Sequence, residues 1–315
     1  MPGSGPKRGG QACPPKRTGG STVAWPADER AEGPQRYEVV DKYGNNSQAY
    51  VAMKTRLSVP QVHEVVQLAF LAGLTQRLPA RHYILKGGAN LRLFLGSPRS
   101  SEDMDFDAVD IAEWKLADKV AEALRAPVVE LILRTHSLTL TRAGSQKQAG
   151  TTQRWVVEVQ APGHRLTIST TGEFSHRISA AGLDGPARSG ASVDPIDPQI
   201  AGRYGAPPIV LPHYLPPAAI AQKIGALARR AVNQPRDVFD LDLLVSRHRD
   251  AAPRKGDVAS DDAERAADRA AELDFAAFRD AVLPFIDVAV RPFYETPEAW
   301  SAIQERVLAY LLELV

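Results

Sequence analysis

Cysteine is nearly absent. Cys13 is the only one among 315 residues, and it sits in a Gly-, Pro- and Lys-rich segment. A single thiol excludes an internal disulfide framework and a thiolate zinc cluster, and a reducing compartment fits best. Long apolar runs are also missing. No stretch approaches the roughly 20 residues needed to span a bilayer, and the N-terminus lacks the apolar segment of a signal peptide, so the expectation is a cytoplasmic protein with no membrane contact. Net charge is close to nil at +1, which gives no global attraction to nucleic acid, so any polyanion must be held by a local patch. The histidines at 63, 82, 136, 164, 176, 213 and 248 show no metal-ligand spacing. A nucleophile elbow and a Walker loop with flanking strand and helix are likewise missing, which leaves hydrolase and ATPase readings unsupported.

The chain does have 44% hydrophobic residues, enough for a sizeable core. Residues 1–36 carry hardly an aliphatic cluster and read as a disordered basic tail. Gly3-Ser4-Gly5 and Gly9-Gly10 resemble a phosphate loop there, but no strand precedes them and no helix follows. From Ser58, apolar residues at Val62, Val65, Val66, Ala69 and Ala72 keep helical spacing, with Ser58 as cap and Pro60 in the first turn. His82 to Leu85 reads as a short strand running into Gly87-Gly88 and a short helix, and Met104 to Val109 reads as its partner strand, with alternating acidic residues. Ile111 to Arg125 is a helix. Val128 to Leu133, Trp155 to Gln160 and Arg165 to Thr170 are read as strands, the last two joined by a tight connection at Ala161-Pro162-Gly163-His164. Past the Pro-rich stretch from Pro195 to Pro217 come helices over Ala218 to Ala231, Pro235 to Val245 and Pro297 to Leu314, the last capped by Thr296. His248 to Ala271 is either a solvated helix or a loose insert. The fold class is therefore α+β or α/β: a mixed-sheet domain over 37–215, then a mainly helical domain over 216–315.

Chemistry is concentrated between Gly87 and Asp107. A Gly-Gly turn opening a helix exposes backbone N–H groups and the positive end of the helix dipole to a polyphosphate, with no side chain in the way. Asp103, Asp105 and Asp107 alternate along a strand and can share one face. Carboxylates held that close repel unless divalent cations lie between them, and Mg²⁺ prefers carboxylate and phosphate oxygens. A phosphate cradle beside a carboxylate pair is what in-line attack on an α-phosphate requires. Each half alone is commonplace, since a Gly-Gly is usually a tight turn and alternating acids usually mark a solvent-facing strand. Their combination in this order is much rarer.

Leu85-Lys86-Gly87-Gly88, Leu91-Arg92-Leu93 and Arg99-x-Ser101-x-Asp103-x-Asp105 resemble the signature of the AbiEii/AbiGii-type nucleotidyltransferase toxins of type IV toxin–antitoxin systems, a group that includes the MenT-type toxins. The resemblance covers about residues 55 to 250. It implies a polymerase-β-like nucleotidyltransferase domain whose active site is completed by the helical C-terminal half, with NTP as substrate. It also implies Mg²⁺ on Asp103 and Asp105, and triphosphate contacts from Gly87, Gly88 and Ser101. Family members often carry Thr-Ala where this chain has Ala89-Asn90, which removes one possible hydroxyl contact. A second signature is matched by Lys223, Arg229 and Arg230 leading into Pro235-Arg236-Asp237. Seven positions make about two helical turns, so Arg230 shares a face with Lys223 and Arg229 does not. By the resemblance Lys223 grips the nucleotide phosphates and Asp237 is the remote acidic residue of the site, with Asp240 in reserve. The strand expected to carry a third carboxylate, Arg165 to Ser169, has none: either the third ligand comes from elsewhere, with Asp107 and Glu158 as the candidates, or the metal site is weaker than in polymerases.

The function expected is transfer of a nucleoside monophosphate from an NTP to an RNA acceptor, with the tRNA 3′ end foremost, and hence a block of translation. The alternatives are nucleotidylation of a protein and an NTP-binding regulator without catalysis. The resemblance further implies an AbiEi-type antitoxin as partner.

Overall fold

The computed structural model describes residues 37–40, 46–49, 56–149, 151–176 and 190–315. The tail expected over 1–36, with its glycine pairs, lies outside them. β1 (Tyr37–Val40) and β2 (Asn46–Ala49) form an antiparallel pair by themselves.

From residue 56 the fold is built on α1 (Val59–Arg77). Its start is fixed by reciprocal bonds between Ser58 and Gln61, and Pro60 occupies the first turn, where no N–H is needed. From Val62 to Leu74 every residue is buried, because α1 lies between α3 (Glu113–Leu124), α4 (Pro127–Thr135) and the sheet. The sheet is mixed and seven-stranded, in the order β5-β6-β7-β4-β3-β9-β8. Its strands are β3 (Tyr83–Lys86), β4 (Met104–Ala108), β5 (Thr139–Ala149), β6 (Thr152–Gln160), β7 (Ile168–Ser175), β8 (Ala191–Pro195) and β9 (Val210–Tyr214). Between β3 and β4 runs α2 (Gly87–Phe94), and between β8 and β9 runs α5 (Pro198–Arg203). On β4, Met104 and Phe106 point into the core, where Phe106 stacks on Phe174 of β7 at 4.4 Å. Period two then turns Asp103, Asp105 and Asp107 to the opposite face.

A second hydrophobic core gathers α6 (Pro216–Arg229), α7 (Pro235–Arg247), α8 (Ser260–Ala271), α9 (Phe275–Ala281) and α10 (Pro297–Leu314). α2 links the two cores: Leu93 packs in the first and Leu91 in the second. Among the described residues no helix is long and apolar enough to cross a membrane.

The structure corrects several expected elements. Val128 to Leu133 belongs to the helix α4, with Pro127 in its first turn; Val129, Ile132 and Leu133 are the buried residues, spaced as one helical face. The β-branched content of this short run had favoured a strand. The third expected strand begins later, at Ile168, and continues to Ser175. The Pro-rich stretch is structured, containing α5 and β9. Residues 260–271 are helical, and Ala263, Ala266, Ala267 and Ala270 pack closely against α6 and α10.

Candidate active site

β3 ends at Lys86, and the chain turns into α2 through Gly87 at φ +70°. This is the left-handed region, which costs a residue with a Cβ roughly 1–2 kcal/mol. A Cβ at Gly87 would lie 2.6 Å from Asp105 Oδ2, and one at Gly88 would lie 2.7 Å from Ser101 Oγ. Both glycines therefore let the α2 N-terminus close onto the carboxylate strand. Asn90, the variant position, is buried and donates to the Tyr214 carbonyl at 2.9 Å, tying α2 to β9.

The strand register then places the acids. Lys86 pairs with Asp105 across β3–β4, and Asp105 with Glu173 across the parallel β4–β7 ladder. Asp103 accepts a 2.6 Å hydrogen bond from the Thr171 hydroxyl, one step along the same face. Glu173 is held by Arg154 at 2.5 and 3.0 Å. Burial raises the Asp105 pKa above the ordinary carboxylate range; Lys86 and Lys223 draw it back, while the charges of Asp103 and Glu173 push it further up. Asp107 lines the same cavity as Asp105, where it is held by Lys86 at 2.5 Å and by the Tyr214 hydroxyl at 2.7 Å. Glu158 pairs with Arg142 and lies opposite Ser169, away from Asp105. Of the two expected substitutes only Asp107 lines this cavity, and Glu173, which neither expectation named, is the carboxylate paired with Asp105. It escaped the sequence reading because the β7 register was set too early, and the acid lies five residues into the true strand.

The opposite wall comes from α6. Lys223 Nζ lies 2.9 Å from Asp237 Oδ1 and 2.6 Å from Asp240 Oδ2. Arg230 Nε stands 3.1 Å from Asp237 Oδ2, close enough for an ion pair but not aligned as a hydrogen bond. Lys223 and Arg230 thus meet one anion, an internal one. Arg229 turns instead to Asp262. Asp237 and Asp240 are fully buried (both 0% exposed) and do not line the cavity; they lie beneath Lys223. Arg99 grips Asp240 in a fork at 3.1 and 2.9 Å, joining the loop that carries Ser101 and Asp103 to the same charge chain. Gln67 adds a 2.7 Å bond to the Ser101 carbonyl. The cavity between the walls measures about 540 Å³ and is lined by Gly87, Asp105, Glu173, Lys223 and Arg230 among others.

Among the described residues no group of three or more His, Cys, Asp or Glu is assembled as a metal cage. Mg²⁺ arriving with a polyphosphate needs only one or two protein carboxylates, the rest of its shell being phosphate oxygen and water. Asp103 and Asp105 supply hard oxygen donors of that kind, and the repulsion among Asp103, Asp105 and Glu173 is what a divalent charge would relieve. The donor set fits.

A family model described as nucleotidyl transferase AbiEii toxin, type IV toxin–antitoxin system, matches residues 69–311. No curated protein matches the chain. Among solved structures, JHP933 from Helicobacter pylori superimposes with a TM-score of 0.51 at 19% identity, covering 82% of this chain and 95% of that one, a likeness of fold. A second H. pylori structure, whose description suggests a nucleotidyltransferase, gives a TM-score of 0.48 at 21% identity over 82% of this chain and 99% of the other.

Proposed function

Because the chain belongs to the AbiEii family of nucleotidyl transferase toxins of type IV toxin–antitoxin systems, we propose that its cavity transfers a nucleoside monophosphate from an NTP to an RNA acceptor, with the tRNA 3′ end foremost. The observation that carries this reading is the meeting of Asp103, Asp105 and Glu173 with the glycine turn of α2 on one wall and Lys223 on the other.

In this reading the triphosphate lies on the N–H groups that open α2, beside Gly87, Gly88 and Ser101. Asp103 and Asp105 would hold Mg²⁺, which when bound would neutralise phosphate charge and lower the pKa of the attacking hydroxyl. Glu173, fixed by Arg154, adds a third carboxylate at Asp105. Lys223 and Arg230 face the pyrophosphate as it leaves. Asp237 and Asp240 hold the Lys223 ammonium in place rather than touching substrate. A domain over 37–215 would then provide the carboxylates, and one over 216–315 would complete the site with Lys223. Glu173 also weakens the reading as an NTP-binding regulator without catalysis, which rested on a missing third carboxylate. A toxin of this class works against an antitoxin, here one of AbiEi type, and modification of tRNA in the cytoplasm would block translation.

The test is incubation of the purified chain with Mg²⁺, each α-labelled NTP in turn and total tRNA, with Asp105→Asn alongside. Label on tRNA that disappears in the variant supports the reading. Label on a polypeptide, or on nothing, overturns it.

A further inference from the structure

A second cavity of about 560 Å³ opens beside Asp103, lined among others by Val59 and His63 of α1, by Glu102 and Asp103, and by Arg165 and Leu166 of the β6–β7 connection. We propose that it receives the 3′-terminal nucleotide of a single-stranded RNA acceptor, an inference that rests on the nucleotidyl-transfer reading of the first cavity.

The geometry of the reaction gives the first argument. In-line displacement at an α-phosphate puts the attacking hydroxyl opposite the leaving pyrophosphate. Lys223 and the α2 N-terminus hold the pyrophosphate side, so the acceptor must enter from elsewhere. The two carboxylates of the pair open on different cavities, Asp105 on the first and Asp103 on the second.

The walls of the second cavity give another argument. The β6–β7 connection is anchored at several points. Gly163 takes φ +78°, with Arg56 packed where its Cβ would lie; the His164 ring bonds the Leu57 carbonyl at 2.8 Å; Gln160 donates to the His164 carbonyl at 2.5 Å. This anchoring holds Leu166 out at 81% exposure, facing the same cavity as half-exposed Val59. A single exposed leucine is ordinary, but two apolar side chains on the walls of one cavity beside a reactive carboxylate form a patch that a base can cover. Arg165 lines the cavity, is exposed and pairs with no described residue. An unpaired guanidinium and the Asp103 carboxylate on the walls of one cavity match a nucleotide end: phosphodiester toward Arg165, sugar hydroxyl toward Asp103.

In the step itself the bond from the 3′ oxygen to the α-phosphorus forms and the bond from that phosphorus to the bridging oxygen breaks. Pyrophosphate leaves with the electron pair, and the hydroxyl proton passes to solvent.

The experiment is steady-state transfer to a short single-stranded RNA by the full chain, comparing wild type with Arg165→Ala and Leu166→Ala. A phosphate contact and a base contact predict that KM for the RNA rises about five- to tenfold in each variant, while KM for the NTP stays within about twofold. Arg165→Ala should also lower the slope of log KM against log salt by about one. An unchanged RNA KM in both variants overturns the proposal, as does label delivered to a polypeptide rather than RNA. If wild type labels no RNA, the functional reading fails by itself. The cavity is then judged by fluorescence anisotropy with a labelled RNA, where binding unaffected by Arg165→Ala overturns it.

Discussion

Glu173 stands directly opposite Asp105 on the neighbouring parallel strand, its outer oxygen held by Arg154. The pairing makes Glu173 part of the same charge cluster as Asp103 and Asp105. Glu173→Gln keeps the shape and removes the charge, so transfer should fall about a hundredfold or more while the chain stays folded. Parallel kcat measurements and circular dichroism check this; full activity in the variant would remove Glu173 from the site.

Gly87 has no room for a methyl group. Gly87→Ala combines a left-handed φ with a Cβ pressed toward the Asp105 carboxylate, and should cost about 1–3 kcal/mol of stability together with most of the activity. Urea denaturation read beside transfer rates checks both effects.

Asp240 is the anchor beneath Lys223. It takes a fork from Arg99 and the ammonium of Lys223 with no exposure to water, so Asp240→Ala leaves buried Arg99 without its carboxylate and Lys223 with Asp237 alone. Losing one member of such a cluster typically costs about 3–5 kcal/mol. The same change frees Lys223 to move, so KM for the NTP should rise in whatever protein remains folded.

The same carboxylate sets an acid limit. Burial alone would raise the Asp240 pKa, but the charges of Arg99 and Lys223 and their hydrogen bonds outweigh it and bring it down to about 2. Asp237, paired with Lys223 and Arg230, is the other acid in this cluster. Because the folded pKa lies below the unfolded one, the stabilisation from Asp240 is complete above about pH 4 and fades as pH falls toward 2. Denaturation of wild type and Asp240→Asn across pH 2–7 should show a gap that is constant near neutrality and closes at the acid end.

How much of this was legible in the sequence depended on how local the signal was. α1 showed itself through Ser58, Pro60 and a run of apolar positions, and β3, the glycine turn and β4 through contrasts over a few residues. Where the signal came from tertiary pairing it failed. β5 is a polar strand beside only β6, β9 carries Pro212 within a Pro-rich segment, and α4 is too short for its periodicity to decide between helix and strand. The same limit hid Glu173, whose meaning comes only from its register against Asp105. Arg99 was visible as part of a motif, but its fork on Asp240, 141 residues away, was not.

The most direct test of the account is transfer to RNA from the accepted NTP labelled at either the α- or the γ-phosphate, with wild type and Asp105→Asn. Nucleotidyl transfer at Asp103, Asp105 and Glu173 predicts that the α label enters RNA, that the γ label leaves in pyrophosphate, and that both signals vanish in the variant. Entry of the γ label into the acceptor, or α transfer undiminished in Asp105→Asn, would contradict it.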